Sequence, residues 1–199
     1  KKNILNEIKL NQKIFNHEAE KEFDKTFTKV INDILVADVD VGVFLSGGVD
    51  SSLVAHYAKK IKKDLKTFSI GIKNNKDYDE SVQSEKISNF LQTDHETFFV
   101  ENDEIIENLE NAVLSFDEPF ADSSKILTYI LSNKVKNKIK VALTGDGADE
   151  LFGGYNRHIY AFYLEKISSL FGKNFINSKF FKQSIKSLFP LSKVFFKNF

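Results

Sequence analysis

Val41-Gly42-Val43-Phe44-Leu45-Ser46-Gly47-Gly48-Val49-Asp50-Ser51-Ser52 is the stretch on which the fold turns. Its first five residues, apolar or small and β-branched in part, predict a strand buried on both faces, as in a parallel sheet. Ser-Gly-Gly follows directly, and the amphipathic run from Ser51 to Lys62 predicts a helix. A strand, a glycine turn and a helix N-terminus in that order make an anion cradle. Backbone N–H groups and the positive helix end converge, and glycine lets a phosphate come close to the backbone. No lysine follows the glycines, so this is not the loop that grips a γ-phosphate in G-x-x-x-x-G-K-[ST]. Asp50 stands inside the turn instead, where it would repel phosphate unless Mg²⁺ lay between them.

The Ser46-Gly47-Gly48-Val49-Asp50-Ser51 string resembles the pyrophosphate-binding loop of the ATP pyrophosphatases, which adenylate a substrate and release pyrophosphate. Asparagine, GMP, NAD and argininosuccinate synthetases, β-lactam synthetase and several tRNA-modifying enzymes share that loop, so the loop alone does not choose among them.

Composition narrows the choice. With 199 residues the chain can bury the core of an α/β domain. Lysine plus arginine balance aspartate plus glutamate at 28 each, which gives no support for wholesale nucleic-acid binding. There is no signal-peptide pattern and no apolar run long enough to span a bilayer, so no membrane partner is expected and a cytoplasmic location is. The absence of cysteine excludes disulfides, thiolate zinc sites and a thiol nucleophile, which counts against the tRNA-thiolating relatives. Methionine is absent even at position 1, which reads as a fragment of a longer polypeptide.

Outward from the central stretch, residues 1–17 are rich in lysine and asparagine and read as a linker from a missing N-terminal domain. Phe23, Phe27, Val30, Ile31, Ile34 and Leu35 recur at spacings of three and four and predict an amphipathic helix from His17. Leu65–Ile72 predicts a second strand, with Ile70 and Gly71 at the carboxyl end where open α/β sheets bind ligands. A helix over Glu80–Leu91, a strand over Glu96–Val100 and a helix over Asn102–Phe116 follow. This alternation predicts a parallel twisted sheet with helices on both faces. In Asp117-Glu118-Pro119-Phe120-Ala121-Asp122-Ser123-Ser124, Pro119 ends the preceding helix, and Ser123 or Ser124 caps the next, Lys125–Lys136.

The second informative element is Thr144-Gly145-Asp146-Gly147-Ala148-Asp149-Glu150-Leu151-Phe152-Gly153-Gly154-Tyr155, preceded by the short apolar strand Val141-Ala142-Leu143. Its strand would end on the same sheet edge as the Ser46 turn. Two acidic clusters facing one phosphate site require a cation between them. This string, together with Asp-Glu-Pro-Phe-Ala-Asp at 117–122, is similar to the signature of asparagine synthetases, and the resemblance covers about residues 18–160.

The resemblance implies the fold of the adenine nucleotide α-hydrolase-like ATP pyrophosphatases over 18–160, with 161–199 a truncated helical continuation. It implies an ATP- and Mg²⁺-dependent ligase that converts aspartate to asparagine through β-aspartyl-AMP, releasing AMP and pyrophosphate. Ammonia would come from glutamine through a glutaminase domain of the same polypeptide, absent here. Position by position it implies Asp50 and Asp149 as Mg²⁺ ligands. Ser46, Gly47, Gly48, Val49, Ser51 and Ser52 would hold the pyrophosphate, and Phe44, Leu45, Ile70, Gly71, Thr144 and Gly145 would line the adenosine. Asp146, where many members carry the longer glutamate, would assist formation and capture of the adenylate. Glu150 would position the amino acid. A catalytic lysine in the C-terminal region, known in some members, has no assignable position. The resemblance leaves room for a homodimer. Two other readings keep the ATP loop: a related adenylating amide or ring former, β-lactam synthetase-like or acting on a sugar or peptide carboxylate, and an ATP-binding module that is catalytically incomplete.

Residues 160–199 carry seven lysines against the single acid Glu165, with many phenylalanines. They predict helices whose apolar faces pack on parts of a larger domain, a membrane-surface helix being the alternative. The four histidines share no metal spacing and read as surface or packing residues.

Overall fold

The computed structural model describes residues 17–73, 79–118, 122 and 124–172. Residues 1–16 of the linker expected over 1–17, part of the loop after the second strand and the basic tail from 173 lie outside the described residues, while His17 opens a helix. The chain divides after Asp146 into two units.

The first unit is built on four parallel strands: β1 (Val41–Phe44), β2 (Lys66–Ile72), β3 (Asp94–Val100) and β4 (Val141–Leu143). Their order is β3-β2-β1-β4. The chain therefore winds outward from β1 to β3, then crosses back to place β4 on the other side of β1. In register, Phe44 stands beside Phe68 and Val43 beside Leu143.

Alternation along the strands sends neighbouring residues to opposite layers. On one face Val43, Leu45 and Leu65 form a core with Val54, Ala55, Tyr57 and Ala58 of helix α2 (Val49–Ile61) and with Ile31 of α1 (His17–Leu35). Ile87 and Leu91 of α3 (Ser81–Leu91) join that side. On the other face Phe68, Phe44, Ile70, Phe98 and Ala142 pack with Leu131 and Val135 of α6 (Ser124–Val135) and with Ile139. Helices thus cover both sides of the sheet, as the strand–helix alternation predicts.

Two boundaries depart from expectation for identifiable reasons. The helix expected over 102–116 is two short ones, α4 (Asn102–Glu107) and α5 (Leu109–Leu114). The break falls at Asn108, whose side-chain amide and backbone N–H both donate to the Glu104 carbonyl, at 2.8 and 3.2 Å. Strand β3 begins at Asp94 rather than Glu96, because its first residues face a polar layer rather than an apolar one. There Thr67 and Ser69 of β2 bond His95 and Thr97 through their hydroxyls. The buried serines Ser84 and Ser88 belong to α3, which packs over the same two strands.

The second unit holds α7 (Ala148–Phe152) and α8 (Asn156–Phe171). Among the described residues, no helix is long and apolar enough to cross a membrane.

Candidate functional site

Ligands in open parallel sheets bind beyond the carboxyl ends of the strands, at the point where the winding reverses. Here that point lies between β1 and β4, and each of these strands ends in one of the sequence's glycine turns.

The turn after β1 is held by its own hydroxyls. Ser51, only 5 % exposed, takes a hydrogen bond from the Ser46 backbone N–H at 3.2 Å, and its Oγ lies 2.9 Å from Ser46 Oγ. Ser46 Oγ in turn accepts from the Gly48 N–H at 3.3 Å, and the Ser52 hydroxyl donates to the Gly48 carbonyl at 2.5 Å. Gly47 has φ +85°, a region glycine adopts without steric cost. A Cβ on Gly47 would also stand 2.7 Å from Gln83 Cβ, so the turn leans directly on α3. Gly48 caps α2 in extended conformation, with no side-chain hydrogen bond at that cap. The first-turn N–H groups and the helix dipole therefore face the carboxyl edge, and Asp50 sits in that first turn.

The turn after β4 meets this one. A Cβ on Gly145 would lie 2.8 Å from the Ser51 nitrogen and 3.0 Å from Asp50 Cβ, so Thr144-Gly145 passes with backbone-to-backbone closeness along the start of α2. Asp146 comes next, exposed, with its N–H directed to Thr144 Oγ1 at 3.4 Å. The Lys125 ammonium, from the first turn of α6, lies 3.5 Å from the Asp146 carboxylate.

The remaining expected residues fall as follows. Phe44 and Ile70 share the partly buried layer on the α6 side. Leu45 is 1 % exposed in the opposite core, and its backbone N–H donates to the Phe68 carbonyl at 2.8 Å. Gly71, beside the Phe99 ring and the Asp79 carboxylate, lies beyond the point at which β1 ends. Asp79 also caps α3 by accepting from the Ser81 N–H at 3.0 Å. Asp122, in the segment similar to the asparagine synthetase signature, spends its carboxylate on the N–H and hydroxyl of Ser124 at 2.9 and 2.8 Å. Those bonds hold its carboxyl below the usual aspartate range.

Asp149 and Glu150 belong to α7 in the second unit. Gly147 and Gly153 flank this helix with φ of +91° and +70°. The Tyr155 hydroxyl donates to Glu150 Oε1 at 2.6 Å, and that bond, helped by Arg157 and His158, holds the Glu150 carboxyl below its ordinary value. The Arg157 guanidinium stacks over the Tyr155 ring at 4.0 Å.

Among the described residues, no group of three acidic, histidine or cysteine side chains could hold a metal alone. Asp50 in a first helical turn suits the other mode, a magnesium ion bound by one or two carboxylates and by the phosphates of a substrate. Sequence reasoning did not single out Lys125 or the Ser46–Ser51 hydroxyl pair. The pair could have been sought from the five-residue spacing of two serines around a glycine turn; Lys125 gave no signal beyond opening a helix.

Sheet, switch point and paired glycine turns define a parallel α/β domain whose two turns meet at its carboxyl edge. A family model described as asparagine synthase matches residues 22–194, and the chain belongs to the asparagine synthase family. It is 38% identical over 126 residues to asparagine synthetase [glutamine-hydrolyzing] 1 of Bacillus subtilis, which covers 63% of this chain and 20% of that protein. It is 35% identical over 136 residues to putative asparagine synthetase [glutamine-hydrolyzing] 2 of Methanocaldococcus jannaschii, covering 67% and 26%. The chain therefore spans about a quarter or less of the length of these relatives. Among solved structures, NMN synthetase from Francisella tularensis aligns with TM-score 0.48 and 19% identity, over 68% of this chain and 58% of that one.

Proposed function

We propose that this chain is the nucleotide-binding portion of a ligase that converts aspartate to asparagine at the expense of ATP. The observation that carries the reading is the packing of Gly145 on Asp50 and Ser51 at the switch point, which joins the two turns into one anion-binding edge. Family membership and the names of the relatives support aspartate as the substrate.

In this reading the backbone of Ser46, Gly47, Gly48 and Val49, with the Ser51 and Ser52 hydroxyls, binds the β- and γ-phosphates. Phe44, Leu45, Ile70, Gly71, Thr144 and Gly145 receive the adenosine. Asp50 is a magnesium ligand, and Asp149 keeps its assignment as the second from the Thr144–Tyr155 motif. When bound, the cation would neutralise the phosphates against these acids and the charge that develops on pyrophosphate.

The aspartate side-chain carboxylate attacks the α-phosphorus. A carboxylate–phosphorus bond forms, the α–β bridge breaks, and the electron pair leaves with pyrophosphate. Ammonia then adds to the activated carbonyl carbon, loses a proton, and expels AMP. The N-terminus of α2 faces the leaving anion, while the Ser46 and Gly48 N–H groups, bonded to the Ser51 and Ser46 hydroxyls, would exchange those bonds for the phosphate. Asp146 acts at the acyl-adenylate and Glu150 positions the amino acid. A glutaminase domain of the same polypeptide would supply ammonia.

The test is pyrophosphate release from MgATP, with and without aspartate and ammonium, for the chain and for Asp50→Ala. Aspartate-dependent release that disappears in Asp50→Ala is the expected result. Release driven equally by unrelated carboxylates would overturn the substrate, and glutamine use by this chain alone would overturn the division of labour.

A further inference from the structure

Within the second unit, Glu150 and Arg157 are set on one ring. Tyr155 is half-buried, with the His158 ring edge-on to it at 5.5 Å between centroids and the His158 N–H donating to its carbonyl at 2.9 Å. The two charged groups are exposed. The Tyr155 hydroxyl holds Glu150 Oε1 at 2.6 Å, and the guanidinium carbon of Arg157 lies 4.0 Å from the ring centroid. A rigid aromatic side chain thereby fixes an acid at its hydroxyl and a cation on its face.

Neither contact uses up its charged group. A carboxylate accepts at two oxygens and about four sites, of which the tyrosine takes one. At 4.0 Å the guanidinium meets the ring through its face, and its N–H groups lie in its own plane, along the edge. The preceding acid is turned elsewhere: a Cβ on Gly154 would stand 1.8 Å from Asp149 Oδ1, so that carboxylate is folded onto the Gly154 backbone. An acid beside a guanidinium complements an ammonium and a carboxylate carried on one carbon, the head of an α-amino acid. Planar, two-point recognition of a carboxylate favours arginine over lysine, and Arg157 is the only arginine in the sequence.

We propose that Glu150 and Arg157 form the seat for the head of an α-amino-acid substrate, with Tyr155 as the positioning residue that sets both. Glu150 takes the ammonium and Arg157 the α-carboxylate. The inference rests on the reading in which Glu150 positions the amino acid, and adds the residue that meets the second charge of that head.

The test compares three ligands on the 199-residue chain, with and without MgATP: L-aspartate, its α-amide, which lacks the α-carboxylate charge, and succinate, which lacks the ammonium. A single arginine gives a single side-chain Nε–H resonance, which L-aspartate should shift in the parent. Affinities from calorimetry should be about tenfold weaker for the α-amide and for succinate, each lacking one charge-assisted contact. Arg157→Ala should weaken L-aspartate about tenfold and leave the α-amide within about twofold, and Arg157→Lys should recover only part of the loss. Glu150→Gln should weaken L-aspartate and the α-amide while sparing succinate. Tyr155→Phe should weaken L-aspartate by a smaller factor than either. Unchanged L-aspartate affinity in Arg157→Ala, or equal weakening of L-aspartate and the α-amide, overturns the proposal, as does a parent that binds MgATP but not L-aspartate. A parent that shows this ligand pattern without binding MgATP supports the seat and overturns the ligase reading.

Discussion

The two strand-ending turns solve one problem, bringing backbone to the carboxyl edge, by opposite means. The Ser46 turn is locked from within: a left-handed glycine, two serine hydroxyls 2.9 Å apart and a buried Ser51 fix it before any ligand arrives. The Thr144 turn is placed from without. Gly145 is wedged against the start of α2, and Asp146 is held by a long ion pair across the edge. A backbone fixed in this way holds the N-terminus of α2 in a set position at the edge. An exposed ion pair costs little to rearrange, because such pairs contribute at most about 1 kcal/mol. On the proposed reading the first turn is the fixed cradle and the second the adjustable wall.

Glycine substitution tests the lock most severely. Gly47→Ala places a Cβ 2.7 Å from Gln83 in a backbone conformation that L-residues adopt reluctantly. It should lower stability by roughly 2–4 kcal/mol and abolish nucleotide binding. Gly48→Ala, one residue on, meets only Ser46 Oγ at 3.3 Å with φ −71°, and should fold normally. Denaturant midpoints of the two variants decide it: equal losses would mean that the turn is not held by Gly47.

The hydroxyl lock is weaker. Ser51→Ala removes the acceptor for the Ser46 N–H and the partner of its Oγ. A loss of about 1–2 kcal/mol should follow, with MgATP bound less tightly because the turn is no longer set beforehand. Removal of the Asp146–Lys125 pair should leave stability nearly unchanged. If Ser51→Ala proved as silent as that pair, the contrast between locked and adjustable turns would fail.

Much of this was legible in the chain, and the misses share a cause. Strand, glycine turn and helix at 41–61 announce themselves because all their determinants are local: β-branched runs, glycines, then an amphipathic period. The placement of β4 beside β1 is not local. It depends on Val41–Val43 meeting Val141–Leu143, about a hundred residues on, and no window of sequence contains both. The apolar pattern also missed Asp94 and His95 as strand, since their inner layer is polar. The acidic stretch at 117–122 does not announce that Asp122 spends its carboxylate on the N–H and hydroxyl of Ser124. Side-chain hydrogen bonds of that kind depend on turn geometry that composition does not encode.

The polar layer supplies the last and smallest test, because α3, against which Gly47 leans, packs on it. His95 Nδ1 lies 2.9 Å from Thr67 Oγ1, and Nε2 lies 3.2 Å from both Ser69 and Thr97 hydroxyls. Burial lowers its pKa below the ordinary 6.5, outweighing the opposing pull of Glu85 on α3. The native state then binds fewer protons than the unfolded chain between the depressed value and 6.5. Stability is complete above about pH 6.5 and falls as the pH drops through that window, levelling off below the native pKa. Thermal midpoints from pH 7.5 to 5 should therefore decline more steeply for the parent than for His95→Gln. The same acidification should weaken MgATP binding more in the parent than in the variant, because it loosens the seat of the Ser46 turn and leaves the Thr144 turn alone. Parallel pH curves for the two proteins would show that the polar layer and the first turn are not coupled.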